Sequence, residues 1–106
     1  MSDEYARFGI GQVVHHRRFG YRGVVVGMDP EFRGTEAWYQ LMATSQPPKD
    51  RPWYQVLPHG AAHRTYVAER NLEPDRSGEQ IDHPELGEFF RAFDGSRYVP
   101  REGSEP

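Results

Sequence analysis

The sequence predicts a mainly β fold: a small twisted β-barrel with a long loop between strands 2 and 3 and a C-terminal helix. Three observations carry this. Short runs rich in β-branched and aromatic residues fall at 12–16, 22–28, 53–57 and 64–68, a composition that suits a pleated, half-buried surface. Gly and Pro bound these runs, as they do in hairpins. One stretch alone, 82–91, spaces its apolar residues as a helix does.

The first strand takes in Val13 and Val14. Gln12, Val14 and His16 share one of its faces and Val13 and His15 the other, so one of the two histidines is at least half buried, in a structural role. Residues 17–22 are the turn, with a tight bend or bulge expected at Gly20 and Gly23. The second strand carries Val24, Val25 and Val26 and stops at Asp29-Pro30, because Pro cannot donate to a ladder and restricts its neighbour. Residues 31–52 form a long connection, in which Thr35 caps a short helix through Trp38 and Tyr39. A connection of this length in a small domain is mobile or functional. The third and fourth strands pair as a second hairpin around Pro58 to His63. A helical turn at Glu69 to Leu72 leads into a short closing strand. Asp82 caps the late helix and Pro84 sits in its first turn. Leu86, Phe89 and Phe90 then form one apolar face, which docks on the sheet. Strands this short, with two hairpins and one long loop, describe a small barrel of the SH3-like kind. Residues 1–7 read as a flexible N-terminus, with Tyr5 able to pack on the barrel, and 94–106 as a disordered tail.

A chain of 106 residues is one domain. It has no cysteine, which removes disulfides and thiolate metal sites and suits an intracellular, cytoplasmic protein. The acidic start has no signal-peptide pattern, and no apolar run is long enough to span a membrane. The net charge of -3 does not fit nucleic-acid binding by bulk electrostatics. The first hairpin is nevertheless basic: Arg7, Arg17, Arg18 and Arg22 lie in a segment with no Asp or Glu from Tyr5 to Met28.

No strong catalytic motif is present, and no catalytic residue, cofactor or metal is expected. His59 and His63 have the spacing of a helical metal pair, but Pro58 and Gly60 argue against a helix there. Gly9-Ile10-Gly11-Gln12 precedes a strand, so its glycines serve a turn and not a phosphate. Ser45 has no histidine beside it in sequence. The residues alone describe a small, cysteine-free binding module.

The ordered set Phe8-Gly9-Ile10-Gly11-Gln12, Val14, His16, Gly20-Tyr21, Gly23-Val24-Val25 and Asp29-Pro30 resembles the opening of the HspQ/YccV-like family, the hemimethylated-DNA-binding domain proteins. Pro52-Trp53-Tyr54, Thr65 to Glu69, Asn71-Leu72 and His83-Pro84 resemble that family's second half. The resemblance covers about Phe8 to Phe90, and the domain it implies is residues 8–93. It implies the SH3-like barrel with its long loop and late helix. It also implies a bacterial heat-shock protein that binds hemimethylated DNA, serves the ATP-dependent protease Lon as a specificity-enhancing factor, and assembles as a homotrimer. It carries over no catalytic residue.

Two binding surfaces follow as expectations. Trp38 and Tyr39 either anchor the long loop on the core or, with Phe89 and Phe90 on the late helix, meet a protease and its clients. Arg17, Arg18 and Arg22, with His16 and Tyr21, would meet DNA, since Arg contacts phosphates or guanine edges. A non-enzymatic regulator of Lon-type proteolysis is the leading reading, and hemimethylated-DNA binding at replication initiation the alternative. A hydrolase resting on a histidine is the least favoured.

Overall fold

A computed structural model describes residues 6–101. Five strands make one antiparallel sheet: β1 (Val13–His16), β2 (Arg22–Asp29), β3 (Trp53–Pro58), β4 (Thr65–Ala68) and β5 (Leu72–Pro74). Their spatial order is β4-β3-β2-β1-β5. Helix α1 (Glu36–Met42) lies in the long connection, and a 3-10 turn, Glu69–Asn71, leads into β5. A one-turn helix α2 (Leu86–Phe89) precedes a two-stranded ribbon of β6 (Phe90–Phe93) and β7 (Tyr98–Pro100).

The mainly β class holds, but the sheet is not a closed barrel. Among the described residues no ladder joins β4 to β5, so each lies at an edge. The valine runs are apolar throughout because both faces of the sheet are covered. On one face Val14, Val25, Tyr54, Val56, Val67 and Leu72 pack with Phe8. On the other, Val13, Val24 and Leu57 pack under Ile81, Phe90 and Tyr98. Register explains the sorting: Val13 faces Val24 and Val24 faces Leu57, while Val25 faces Val56 and Tyr54 faces Val67. Gly23 lies in β2 rather than in the turn. A Cβ there would come within 2.5 Å of Val56 Cγ1 and 2.8 Å of Leu57 O, so its lack of a side chain lets β2 and β3 approach. The bulge in β2 comes later, between Val25 and Gly27.

Two expectations fail near the C-terminus. The helix of residues 82–91 shrinks to α2, whose first turn has no side-chain cap. Asp82 is not a cap; its backbone N–H donates to His59 Nδ1 at 2.8 Å and its carbonyl accepts from Gly60 at 2.8 Å. Phe90 then takes extended angles (φ -129, ψ 147) and pairs with Pro100. Ribbon pairing and burial of Phe90 together override the helical spacing. The apolar stretch does dock on the sheet, with Leu86 and Phe89 packed against the second cluster. The expected disordered tail starts at 94, yet Asp94 closes a turn with Arg97 and β7 follows. Tyr98 fixes β7: its N–H donates to Gly11 O at 2.8 Å and its hydroxyl accepts from Ile81 N at 2.7 Å. At Gly11 a Cβ would stand 2.1 Å from Tyr98 O, so only glycine admits this contact. At the other end, Arg7 N donates to Glu69 Oε2 at 2.8 Å. The readings for Tyr5 and for residues 102–106 fall outside the described residues.

Candidate binding groove and basic turn

The β1–β2 turn is built around His16, which is buried. Its Nδ1 accepts from the backbone N–H of Arg18 at 3.1 Å and of Phe19 at 3.0 Å, so the ring proton sits on Nε2. The ring stacks on Phe19 (4.6 Å between centroids, 18° between planes) and leans on Tyr21. Burial, then the Arg18 and His15 charges, hold the His16 pKa below its ordinary value. Tyr21 is half-buried and shares a 2.8 Å hydrogen bond with Thr65 Oγ1. Burial raises its pKa, and the Thr65 bond only partly offsets this.

This splits the expected arginine cluster. Arg17 and Arg18 are exposed at the turn and form no ion pair among the described residues. Arg22 does not join them. Its Nη2 donates to Asp75 Oδ2 at 3.1 Å and to Glu79 O at 2.6 Å, tying β2 to the segment after β5. Burial alone would raise the Asp75 carboxyl pKa, but hydrogen bonds from Arg22 and Ser77 outweigh it and leave the pKa lowered. His16 shapes the turn rather than facing outward, and Tyr21 is directed to Thr65 of β4.

The long connection is ordered by aromatic packing. Thr35 Oγ1 accepts from Trp38 N at 3.1 Å, so the expected cap is present. Glu36 accepts from both Lys49 and Gln40, which ties α1 to the end of its own loop. Tyr39 is buried beside Trp53 and Ala68, and its hydroxyl donates to Pro47 O at 2.6 Å. It anchors the loop and offers nothing to a partner. Trp38 is half-buried among Phe32, Trp53 and Tyr66. Phe90 is 5% exposed and Phe89 half-buried, with the Arg64 guanidinium 5.2 Å over its ring. The expected Phe89–Phe90 contact patch is therefore part of the core and its margin.

A different set of side chains lines a groove of about 650 Å³. Phe19 and Tyr21 form one wall and Trp38, Met42 and Arg33 the other, with Thr65, Tyr66 and Val67 of β4 between them. A smaller cavity of about 60 Å³, which Arg18 and Ala68 help to line, extends it. Phe19 is 66% exposed and Met42 57%. Tyr66 donates to Asp29 Oδ2 at 2.6 Å, and burial first, then this bond, push its pKa up to about 12. Phe19 could have been read from sequence: an aromatic between Arg18 and Gly20 at a hairpin tip has no core to enter. Met42 lies one helical turn beyond Trp38, on the same face. Tyr66 and Arg33 left no such signal.

The family model for the hemimethylated DNA-binding protein YccV-like matches residues 6–97. The chain belongs to the YccV-like family. Similar proteins include F-box only protein 21 of Homo sapiens and of Pongo abelii, each 35% identical over 104 residues and 93% of this chain. The Mus musculus protein of the same name is 35% identical over 95 residues, 88% of this chain. The chain spans only 15 to 17% of these relatives' own length. Within this YccV-like domain the match covers the turn, the groove and β6, so the site is built from family sequence throughout. Among the described residues no helix is long and apolar enough to cross a membrane.

Proposed function

We propose that this YccV-like chain is a non-enzymatic regulator of ATP-dependent proteolysis, a Lon-type specificity factor that works by binding proteins. The groove carries this reading. It is concave, largely apolar, and flanked by exposed Phe19 and Met42, the chemistry of a protein-contact patch. The YccV-like region also recurs within the much longer F-box only protein 21, which suits a module that serves other machinery. A heat-shock-controlled, cytoplasmic, bacterial homotrimer completes the proposal. Purified Lon should degrade a purified client faster when this protein is added, and Phe19→Ala with Met42→Ala should remove the gain. Client turnover that stays unchanged at saturating amounts overturns the reading.

Hemimethylated-DNA binding is the second reading. The family description and the exposed Arg17 and Arg18 favour it. Two arginines on an acidic protein would give a weak, salt-sensitive complex. One adenine methyl offers about 0.8 kcal/mol of discrimination, the worth of a buried CH₂. Fluorescence anisotropy with unmethylated, hemimethylated and fully methylated GATC duplexes tests it. Selectivity that survives physiological salt and falls with Arg17→Ala and Arg18→Ala would put this reading first. Binding that ignores methylation and vanishes with salt would remove it.

A further inference from the structure

We propose that the open edge of β4 receives an extended acidic peptide segment of a partner protein as a sixth strand of the sheet. This rests on the protein-binding reading of the groove and names what the groove holds. The phase of the β3–β4 ladder decides which backbone groups are offered. Glu69 N donates to Pro52 O at 3.0 Å, and the pairs Tyr54–Val67 and Val56–Thr65 keep the same register. In an antiparallel pair hydrogen-bonded residues alternate, so Thr65 and Val67 turn their N–H and C=O toward β3. The backbone of Tyr66 and the N–H of Ala68 then point away from it. The opposite ladder agrees: His59 N donates to Arg22 O at 2.7 Å, which assigns Leu57 and its alternates to β2 and leaves Tyr54 and Val56 for β4. Among the described residues, no hydrogen bond outside the β3–β4 ladder engages the Tyr66 or Ala68 N–H.

Such a row of unpaired groups is a template for another strand. Here Tyr66 lines the groove, and Ala68, a buried residue, lines the smaller cavity that extends it; Phe19 and Met42 border both. Four residues of β4 rise about 13 Å, enough to pair a peptide of four or five residues. Side chains of an added strand would alternate between the Phe19–Tyr21 side and the Trp38–Met42 side. The charge on the walls selects the occupant. Arg18, Arg33 and Arg64 line the two cavities against Asp29 alone; Asp29 already accepts from Tyr66 and Arg64 already pairs with Glu85 Oε1 at 2.7 Å, so Arg18 and Arg33 carry the positive charge on offer. These arginines disfavour a cationic ligand despite the aromatic rings, and suit a segment with Asp or Glu beside apolar residues.

The test uses the full chain and a phage-displayed random dodecapeptide library, followed by one synthetic peptide from the selection. Acidic sequences with alternating apolar residues should be enriched. On titration, the Tyr66 and Ala68 amides should shift and exchange with solvent at least tenfold more slowly. N-methylation at alternate peptide positions should weaken binding at least tenfold, and at the intervening positions should leave it unchanged. Arg18→Glu with Arg33→Glu should weaken it similarly. Peptides that bind with no N-methyl sensitivity and no protection at Tyr66 and Ala68 overturn strand addition and leave the protein-binding reading standing. No enrichment against folded protein also overturns strand addition, and the Lon assay then judges the wider reading by itself. Protection of the same amides by a GATC duplex, or by the protein's own concentration, replaces the peptide with nucleic acid or a second copy.

Discussion

His16 shows how one side chain sets a surface. Its ring supplies the acceptor that two turn amides need, and its stacking holds Phe19 at the groove mouth. Protonation would remove that acceptor, since both ring nitrogens then donate. Because the folded pKa lies below the ordinary 6.5, the unfolded chain takes up a proton first as pH falls. Stability contributed by neutral His16 is complete above that window. It is lost as pH falls from about 6.5 through the folded value. Urea unfolding at pH 7.5, 6.5 and 5.5 should show this decline, and His16→Asn, which keeps an acceptor but does not titrate, should flatten it. At pH 7.5, His16→Ala should cost about 0.5–3 kcal/mol, the ordinary range for one substitution, since it removes a buried ring and the acceptor of two turn amides. Asp75 adds to acid sensitivity only at lower pH, as its lowered pKa is crossed.

At the level of elements, local pattern was a good guide where the chain pairs with near neighbours. The two hairpins, the Thr35 cap and the turn before β5 were legible because each rests on residues close in sequence. The C-terminal ribbon was not. Leu86, Phe89 and Phe90 have helical spacing, and nothing local signals that Phe90 will pair with Pro100 or that Tyr98 will reach Gly11 and Ile81. Those contacts are long-range and outweigh a single turn of helix. The binding residues divide in the same way. Arg17 and Arg18 were visible from charge, whereas Arg22 was drawn off by Asp75, 53 residues later. Tyr98→Ala should lower stability by about 3–5 kcal/mol, the range for large aromatics removed from a core. That corresponds to a fall in Tm of over 10 °C at about 4–8 °C per kcal/mol. A small shift, within a few degrees on a thermal scan, would show that the ribbon is an appendage.

On the scale of the whole molecule, β3 joins everything. Trp53 belongs to the loop cluster, Tyr54 and Val56 to one face of the sheet, and Leu57 to the other. The three clusters should therefore unfold together, so tryptophan fluorescence and far-ultraviolet circular dichroism should give the same midpoint in urea. Leu57→Ala should lower both midpoints equally, with a loss of about 2–5 kcal/mol. Separate transitions would mean that α1 and its aromatic partners melt as an independent unit. The two margins of the sheet also differ in kind. β4 turns the Tyr66 backbone and the Ala68 N–H away from β3, while β5 is three residues long and ends in Pro74, which has no N–H to give. Growth of the five-stranded sheet from copy to copy needs two usable margins, and among the described residues that sheet has one. Self-association through this sheet therefore terminates at a two-fold pair and cannot propagate into a filament. A three-fold assembly would have to be held by side chains elsewhere on the surface.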